Sequence, residues 1–432
     1  MVDKSIATDF KTKSLKSIVY INMFYPYDFK GETFLATEID YMVSLGHVQT
    51  NKYIFPIWAN RKRQKIVNLD GFKVIGNIPD YSKFKKILWC LLALLDSELY
   101  KETALLMKSK RLNLKNLIKL VGFIGQGNYM SSKLEEYISQ TVPLGTEITL
   151  YSYWMHLQAY IAVKVSKKLS HKYKIKSISR CHRFDVYEYA ANNYIPLRNY
   201  ILNGLDIVYP ISTDATDYIN TNYSIDKSKL EISRLGTVDK GLRISPKGKC
   251  LKILSCSWMR PVKRNGLIFE ALKELDFEVE WTHIGDGDEF ENIKNEIMRL
   301  KNKNIRCKLL GSMNNDQVIE YYRTHDFNVF VNVSRSEGVP VSIMEAMAFG
   351  KVIIATDVGG TKEVVISERN GFLMPVELSP QELGKKFRTI YQMSEQKYKE
   401  LCQESRDIWE ELFNAETNYK KFNIDLLKGN PK

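Results

Sequence analysis

The chain has little with which to cross a membrane, hold a metal or staple itself together. Its six cysteines (Cys90, Cys181, Cys250, Cys256, Cys307 and Cys402) are scattered and form no C-x-x-C pair. That distribution excludes a disulfide framework and a zinc ribbon, and it points to a reducing compartment. The six histidines show no H-x3-H spacing and no Cys/His cluster, so no zinc site is expected. The one D-x-D, Asp286-Gly287-Asp288, lies inside a glycine-rich turn. The longest apolar run, Ile87 to Leu95, falls well short of the ~20 residues that a spanning helix needs, so no transmembrane anchor is expected. The N-terminal MVDKSIATDFKTKSLKSIVYINMF mixes acids and lysines before a run that ends in tyrosines and a proline. It reads as a first strand, not a signal peptide. No internal repeat and no low-complexity tract is found.

What is there is a globular composition, 44% hydrophobic and 26% charged over 432 residues, long enough for two domains. The net charge of +13 is uneven. Residues 1–200 carry 30 Lys and Arg against 16 Asp and Glu, and the remainder carries 33 against 34. A basic first half implies an anionic partner (nucleic acid, a membrane surface or a phosphorylated substrate) unless it is simply a lysine-rich solvated face.

Strand patterns at SIVYINMFYPY, Lys52–Ala59, Phe72–Ile78, Glu147–Tyr153, Ser177–Arg180 and Asp206–Ile211 alternate with helical ones, including Thr33–Leu45 before the stop at Gly46. Such alternation predicts a parallel sheet covered on both faces. Tyr81–Leu144 departs from it, being mostly helical, apolar and lysine-studded. Periodicity lapses into Gly, Pro and Lys over Asp239–Cys250, a linker signal. A second series follows, LKILSCS, VEWTHIG, IRCKLLG, FNVFVNV, KVIIATD and GFLMP, with helical stretches such as Leu267–Leu275 and Phe290–Leu300. The expected domains are 1–240, 250–412 and a C-terminal helix over 413–432 that crosses back to the first domain. The second domain reads as doubly wound, with its ligand beyond the carboxyl ends of its strands.

The segment SRSEGVPVSIMEAMAFGKVIIATDVGGTKEVV is the most informative. A β-branched strand, Phe330–Val333, enters a turn at Ser334–Gly338, and a helix should start near Pro340, since proline suits a first helical turn. The unsatisfied amides of Val341, Ser342 and Ile343, with the helix dipole, would favour a phosphate. Glu337 lies just before that helix and Glu345 inside it. Together they can accept hydrogen bonds from sugar hydroxyls, although by spacing alone a turn residue and a solvated helix residue explain them as well.

The E-x7-E segment Glu337–Glu345 resembles the signature of family-4 glycosyltransferases, including its Gly, Pro and following E-A. CSWMRPVKRNGLIFEAL, WTHIGDGDEFENI, LLGSMNNDQV, DVGGTKEVV and NGFLMP are similar to that family's successive elements. RCHRFDVYE, IVYPISTDATDYI and LEISRLGTVD resemble its polysaccharide-assembly branch. The resemblance covers essentially all of the second domain and patches of the first. It implies a GT-B fold: α/β, two Rossmann-like doubly wound domains facing a cleft, acceptor on the first and nucleotide-sugar donor on the second. It implies Glu345 on the ribose hydroxyls, Glu337 on the donor sugar, and backbone amides of Gly338, Val339, Pro340, Val341 and Ser342 around sugar and phosphate. Proline contributes only its carbonyl to such a turn. It implies Lys263 on the pyrophosphate, stabilising charge on the leaving group. Arg260 or Arg264 would stand in for a family arginine where this chain has Trp258. His182 would meet the donor sugar or acceptor side. Gly31 matches one glycine of a phosphate-side loop, Gly285 begins a G-x-G turn, and Met313 lies in the loop beside the base.

The resemblance further implies retention of anomeric configuration and no cofactor or metal. The expected function is therefore hexosyl transfer from a nucleotide sugar to a polyprenyl-linked or other glycan acceptor, in exopolysaccharide, capsule or O-antigen assembly. Localisation is expected to be cytoplasmic and peripheral at the inner face of the cell membrane. Within Phe84–Arg111 and just before it, Lys83, Lys85 and Lys86 flank an apolar run with Trp89, and Lys108, Lys110 and Arg111 follow, which suits an anionic membrane surface, although Ile87–Leu95 itself reads almost as well as a buried core helix. Three other readings compete with this one. A nucleotide-sugar epimerase needs acid and base on both faces of a sugar carbon, and no such pair can be placed. An inactive partner subunit would keep the fold without turnover. A nucleic-acid-binding protein lacks a zinc finger, an RNP-like strand and a recognition helix, so no nucleic-acid partner is expected.

Overall fold

The computed structural model describes residues 15–28, 32–45, 50–58, 69–75 and 82–428. The chain divides into two compact units. One comprises Met1–Pro210, Tyr218–Ser233 and Lys420–Lys432, and the other Ile211–Asp217 and Arg234–Tyr419. The Ala415–Lys428 helix thus begins in the second unit and ends in the first.

In the first unit, strands β1 (Lys16–Asn22), β2 (Thr50–Pro56), β3 (Phe72–Val74), β4 (Glu147–Ser152), β5 (Lys174–Cys181) and β6 (Ile207–Pro210) form one sheet in the order β3-β2-β1-β4-β5-β6. Every pairing is parallel. The central strands β1, β2 and β4 are mostly buried, as a sheet covered on both faces requires, whereas the edge strand β3 is not. Ile18, Tyr20, Ile39, Ile54, Tyr151, Ile178 and Tyr209 share one core with Phe422 and Leu426 of the C-terminal helix.

Between β3 and β4 stand three helices, Lys83–Ala93, Ser97–Lys108 and the 28-residue Leu114–Thr141. Each starts at a polar cap: Ser82, Asp96 and Asn113 accept from the amides of Lys85, Glu98 and Asn116. Asp96 also accepts from Lys164 Nζ at 2.6 Å and Asn128 Nδ2 at 3.0 Å. The first and third helices touch at Gly125, where a Cβ would stand 2.8 Å from the Trp89 carbonyl oxygen. Only glycine permits that approach.

The second unit repeats the design. Strands β7 (Leu251–Cys256), β8 (Val279–Ile284), β9 (Ile305–Leu309), β10 (Val329–Asn332), β11 (Val352–Thr356) and β12 (Gly371–Met374) are ordered β12-β11-β10-β7-β8-β9, again all parallel. In each sheet, then, the first strand of the series is central and the order reverses beside it. Residues 238–250 hold neither helix nor strand.

One ion pair is fully buried in the first unit. Arg180 Nη2 lies 2.7 Å from Glu38 Oε2 with no exposure of either side chain. Arg180 also donates to Tyr151 Oη at 3.1 Å and to the Ser233 carbonyl at 2.7 Å, and its guanidinium lies 4.3 Å from the Phe422 ring. Burial pushes the Glu38 carboxyl up and Arg180 opposes it. The Glu38 carbonyl accepts from Asn423 Nδ2 at 2.8 Å, holding the end of the C-terminal helix. Removing one partner leaves a buried charge uncompensated, so Arg180→Met should cost the first unit about 3–5 kcal/mol in urea unfolding, and Arg180→Met with Glu38→Leu should recover most of it. A loss below about 1 kcal/mol for the single variant would contradict this.

Candidate active site

In an open parallel sheet a crevice opens where the strand order reverses, because the loops leaving the two flanking strands go to opposite faces. In the second unit those strands are β7 and β10. The loop after β7 carries Lys263 and the loop after β10 carries Glu337. Lys263 Nζ and Glu337 Oε1 are 2.5 Å apart, and both side chains are largely withdrawn from solvent. Asn332, the last residue of β10, donates to the same Oε1 at 3.1 Å. The two loops are also joined by the Arg335 amide on the Val262 carbonyl at 2.8 Å.

Arg264 and Arg260 behave differently from Lys263. Arg264 has a left-handed backbone, φ 53°, and its Nε and Nη1 donate to the carbonyls of Val333 and Val376, each at 2.6 Å. Two of its donors therefore tie together the segments that follow β10 and β12. Arg260 is exposed and lies 5.5 Å from the ring of Trp258, also exposed.

The helix after β10 is Val341–Ala348, with Pro340 at its N-cap. The amides of Ile343 and Met344 both donate to the Pro340 carbonyl, so the helix itself supplies no acceptor for those of Val341 and Ser342. Gly338 and Ser342 are half-buried, whereas Val339 and Pro340 are buried and offer backbone only. The turn is pressed into place by Gly359 and Gly360, in the loop after β11. The Gly360 amide donates to the Gly338 carbonyl at 2.7 Å, and a Cβ on Gly359, at φ 53°, would stand 2.3 Å from the Glu337 carbonyl oxygen. The D-V-G-G sequence directly after a strand was the signal for this support, and the sequence reading assigned it no site role.

Glu345, on the same helix, is buried and accepts from Asn315 Nδ2 at 2.7 Å. Burial pushes its carboxyl up to about 7, with the Asn315 hydrogen bond opposing. Cys256, at the end of β7, feels both acid and base: burial and then Glu345 push its thiol up to about 12, while Lys263 pulls it down. The structure thus places Lys263, Glu337, Glu345 and the 338–342 turn around one corner of the second unit. Asn315 and Asn332 were missed, since a lone asparagine carries no periodic signal.

The floor beneath is fixed by the turn after β8. Gly285 and Gly287, at φ 138° and 152°, lie so close to the loop after β7 that a Cβ would meet the carbonyl oxygens of Ser257 and Met259 at 1.9 and 2.5 Å. Trp281 Nε1 donates to Ser255 Oγ at 2.9 Å, which leaves that hydroxyl to donate to His283 Nδ1 at 2.8 Å. His283 Nε2 then donates to the Ser257 carbonyl at 3.1 Å. Burial lowers the His283 ring to about 4, so it stays neutral in that tautomer. Asp286, in the D-x-D, is engaged with the Gly287 amide at 2.7 Å. Met313 sits half-buried in the loop after β9. Among the described residues no three His, Cys, Asp or Glu side chains gather as they would around a metal ion.

In the first unit His182 follows β5 and is buried between Tyr153 and Trp154, ring centroids 4.7 and 4.6 Å away. Its Nε2 lies 3.1 Å from the Tyr153 carbonyl, so Nε2 carries the hydrogen and Nδ1 is the acceptor. Burial and Arg180 lower the ring to about 3, which makes it a neutral group. Gly31 lies outside the described residues. The adjacent Glu32 is fully buried and accepts from the amides of Met23, Phe24 and Tyr25 at 2.6, 2.8 and 2.9 Å and from Trp154 Nε1 at 3.1 Å. It closes the turn after β1.

Two sheets of this strand order, each reversing beside its central strand, define Rossmann-like, doubly wound units. Residues 243–407 match the family model described as glycosyl transferases group 1. That match lies within the second unit, and the chain has the GT-B fold. Over 186 residues it is 26% identical to the O-antigen biosynthesis glycosyltransferase WbnH of Escherichia coli, covering 43% of this chain and 51% of that one. The chain spans only about a third to a half of the length of the first curated relatives it matches. In fold it is similar to the lipopolysaccharide outer core galactosyltransferase WaaB (TM-score 0.67, 16% identity, 95% of this chain and 99% of that one). It is also similar to Anabaena Alr3699/HepE in complex with UDP (TM-score 0.65, 15% identity, 95% and 100%).

The raised Glu345 carboxyl makes stability pH-dependent. Its folded-state value, about 7, lies above an unfolded value near 4.3, so the folded state binds the extra proton between them and stability falls as pH rises through that window. Glu345→Gln keeps the acceptor for Asn315 and removes the charge. At pH 8 it should be more stable than the native chain, by up to about 3 kcal/mol, with the gap closing toward pH 4.5. Equal pH profiles in thermal unfolding would contradict the buried carboxylate.

Proposed function

We propose that the chain is a retaining, metal-independent glycosyltransferase that moves a hexosyl group from a nucleotide-diphosphate sugar to a lipid-linked glycan. The pathway would be exopolysaccharide, capsule or O-antigen assembly, in the cytoplasm at the inner face of the membrane. The observation that carries the reading is the Lys263–Glu337 pair at 2.5 Å beside the open start of the Val341–Ala348 helix. An ammonium and free amides next to a carboxylate suit a sugar diphosphate, the first two taking phosphate and the last taking sugar hydroxyls. The family match of the second unit and the O-antigen relative support the same class.

In this reading the incoming diphosphate draws Lys263 off Glu337. Lys263 then stabilises charge as it develops on the leaving group, and Glu337 is freed to hold a hydroxyl of the sugar. The amides of Val341 and Ser342 take a phosphate oxygen. Glu345 accepts the ribose hydroxyls, which favours its ionised form and expels a proton on binding. Arg260, which is exposed, adds to the phosphate side. Neutral His182, with Nδ1 as acceptor, meets the sugar or the acceptor. Attack and departure on one face of the sugar retain its configuration without a lasting covalent intermediate. The diphosphate charge is met by these groups, so excess EDTA should leave the rate unchanged.

A panel of UDP- and GDP-sugars, read by thermal shift, identifies the donor. Glu345→Ala should weaken binding of that nucleotide roughly 10- to 100-fold, as loss of charged hydrogen bonds does. Lys263→Ala and Glu337→Ala should lower nucleotide release in transfer roughly 10²- to 10³-fold. Unchanged turnover in both of these variants would contradict the mechanism.

A further inference from the structure

The Lys83–Ala93 helix is apolar on both sides beyond its first turn, and one of those sides faces solvent. Its inner side is spent on the Leu114–Thr141 helix. Ala93 is buried, Trp89 packs its ring 5.7 Å from Tyr129, and the Trp89 carbonyl lies against Gly125. The opposite stripe, Phe84, Ile87 and Leu91, follows the i, i+3, i+7 spacing of one helix face and is 76, 62 and 58% exposed, and Leu95, in the turn just past the helix, is 81% exposed. Leu88 and Leu92 widen it, also exposed. A soluble surface helix would bury this stripe and show its lysines instead.

The lysines say what covers it. Lys83, Lys85 and Lys86 occupy the first turn, which has no acid. Three positive charges at the positive end of a helix dipole destabilise the helix, so they do not serve the isolated fold. Over residues 83–120 nine Lys and Arg face three Asp and Glu. A second copy applied to this face would set like charge against like. An anionic, apolar-backed surface satisfies both the stripe and its rim, and that is a bilayer. Eleven residues are too few to cross one, and no helix among the described residues is long and apolar enough to do so. The helix therefore lies in the interface plane.

We infer that the Lys83–Ala93 helix is a monotopic membrane anchor: its Phe84–Leu95 stripe inserts at the acyl boundary of an anionic leaflet while Lys83, Lys85 and Lys86 hold the headgroups. This deepens the reading above, since a lipid-linked acceptor is presented at such a surface. Its test is independent of transfer, because nucleotide release without vesicles reads the second unit separately.

The full chain is floated with vesicles of phosphatidylcholine alone and of phosphatidylcholine with about one-third phosphatidylglycerol. The native chain should bind the anionic vesicles at least about tenfold more tightly, and part of that binding should survive high salt. Ile87→Ser/Leu91→Ser/Leu95→Ser changes only exposed positions. It should keep the melting temperature, lose about tenfold or more of the binding, and lose the salt-resistant part entirely. Lys83→Gln/Lys85→Gln/Lys86→Gln should abolish the preference for anionic lipid. The inference is overturned if the native chain floats with neither vesicle. It is overturned equally if the serine variant floats like the native chain, or if light scattering shows a native dimer that the serine variant dissolves.

Discussion

An ammonium and a carboxylate, Lys263 and Glu337, meet at the point where the strand order of the second sheet reverses. Much of that unit exists to bring them there. The two residues are 74 positions apart in sequence, and each stands on a loop that would wander if left alone. Gly285 and Gly287 let the turn after β8 press against one loop, and Gly359 lets the turn after β11 press against the other. Each contact has a backbone atom within the space a side chain would fill, so each is a constraint that no rearrangement of rotamers could relieve. The neutral, tautomer-fixed His283 adds a hydrogen bond to the Ser257 carbonyl from below. The ion pair itself leaves the resting corner close to neutral, and an arriving anion has an ammonium to compete for.

The two glutamates of the E-x7-E segment differ in what surrounds them. Glu337 is paired with a lysine and an asparagine amide. Glu345 is buried with one neutral donor, and burial brings its carboxyl to about 7. One is engaged by a cation and an amide, and the other is balanced between states near neutral pH. The same residue type thus offers an ion-paired carboxylate in the turn and a proton-coupled acceptor inside the helix that follows.

Much of this was legible in the residues. Alternating strand and helix patterns announced two parallel sheets, and a β-branched strand running into E-G-V-P located the helix start within one residue. The ends of strands were less legible: Ser177–Arg180 extends in fact over Lys174–Cys181, because a strand continues as far as its neighbour pairs with it. The fate of Arg264 was hidden for a different reason. Its left-handed backbone turns the guanidinium onto the carbonyls of Val333 and Val376, a partnership between distant segments that no local pattern encodes. The residues mark Ile87–Leu95 as an apolar run, membrane-facing or core, and carry no information about which side the rest of the chain will cover. That depended on Gly125 admitting the Trp89 side.

The account rests on a nucleotide diphosphate lying against the start of the Val341–Ala348 helix and the Lys263 loop. Hydrogen–deuterium exchange with and without UDP reads those amides directly. The account predicts slowed exchange in the peptides holding Val341 to Met344 and Trp258 to Asn265, with the rest of the second unit little changed. Slowed exchange elsewhere with none at either segment would contradict it.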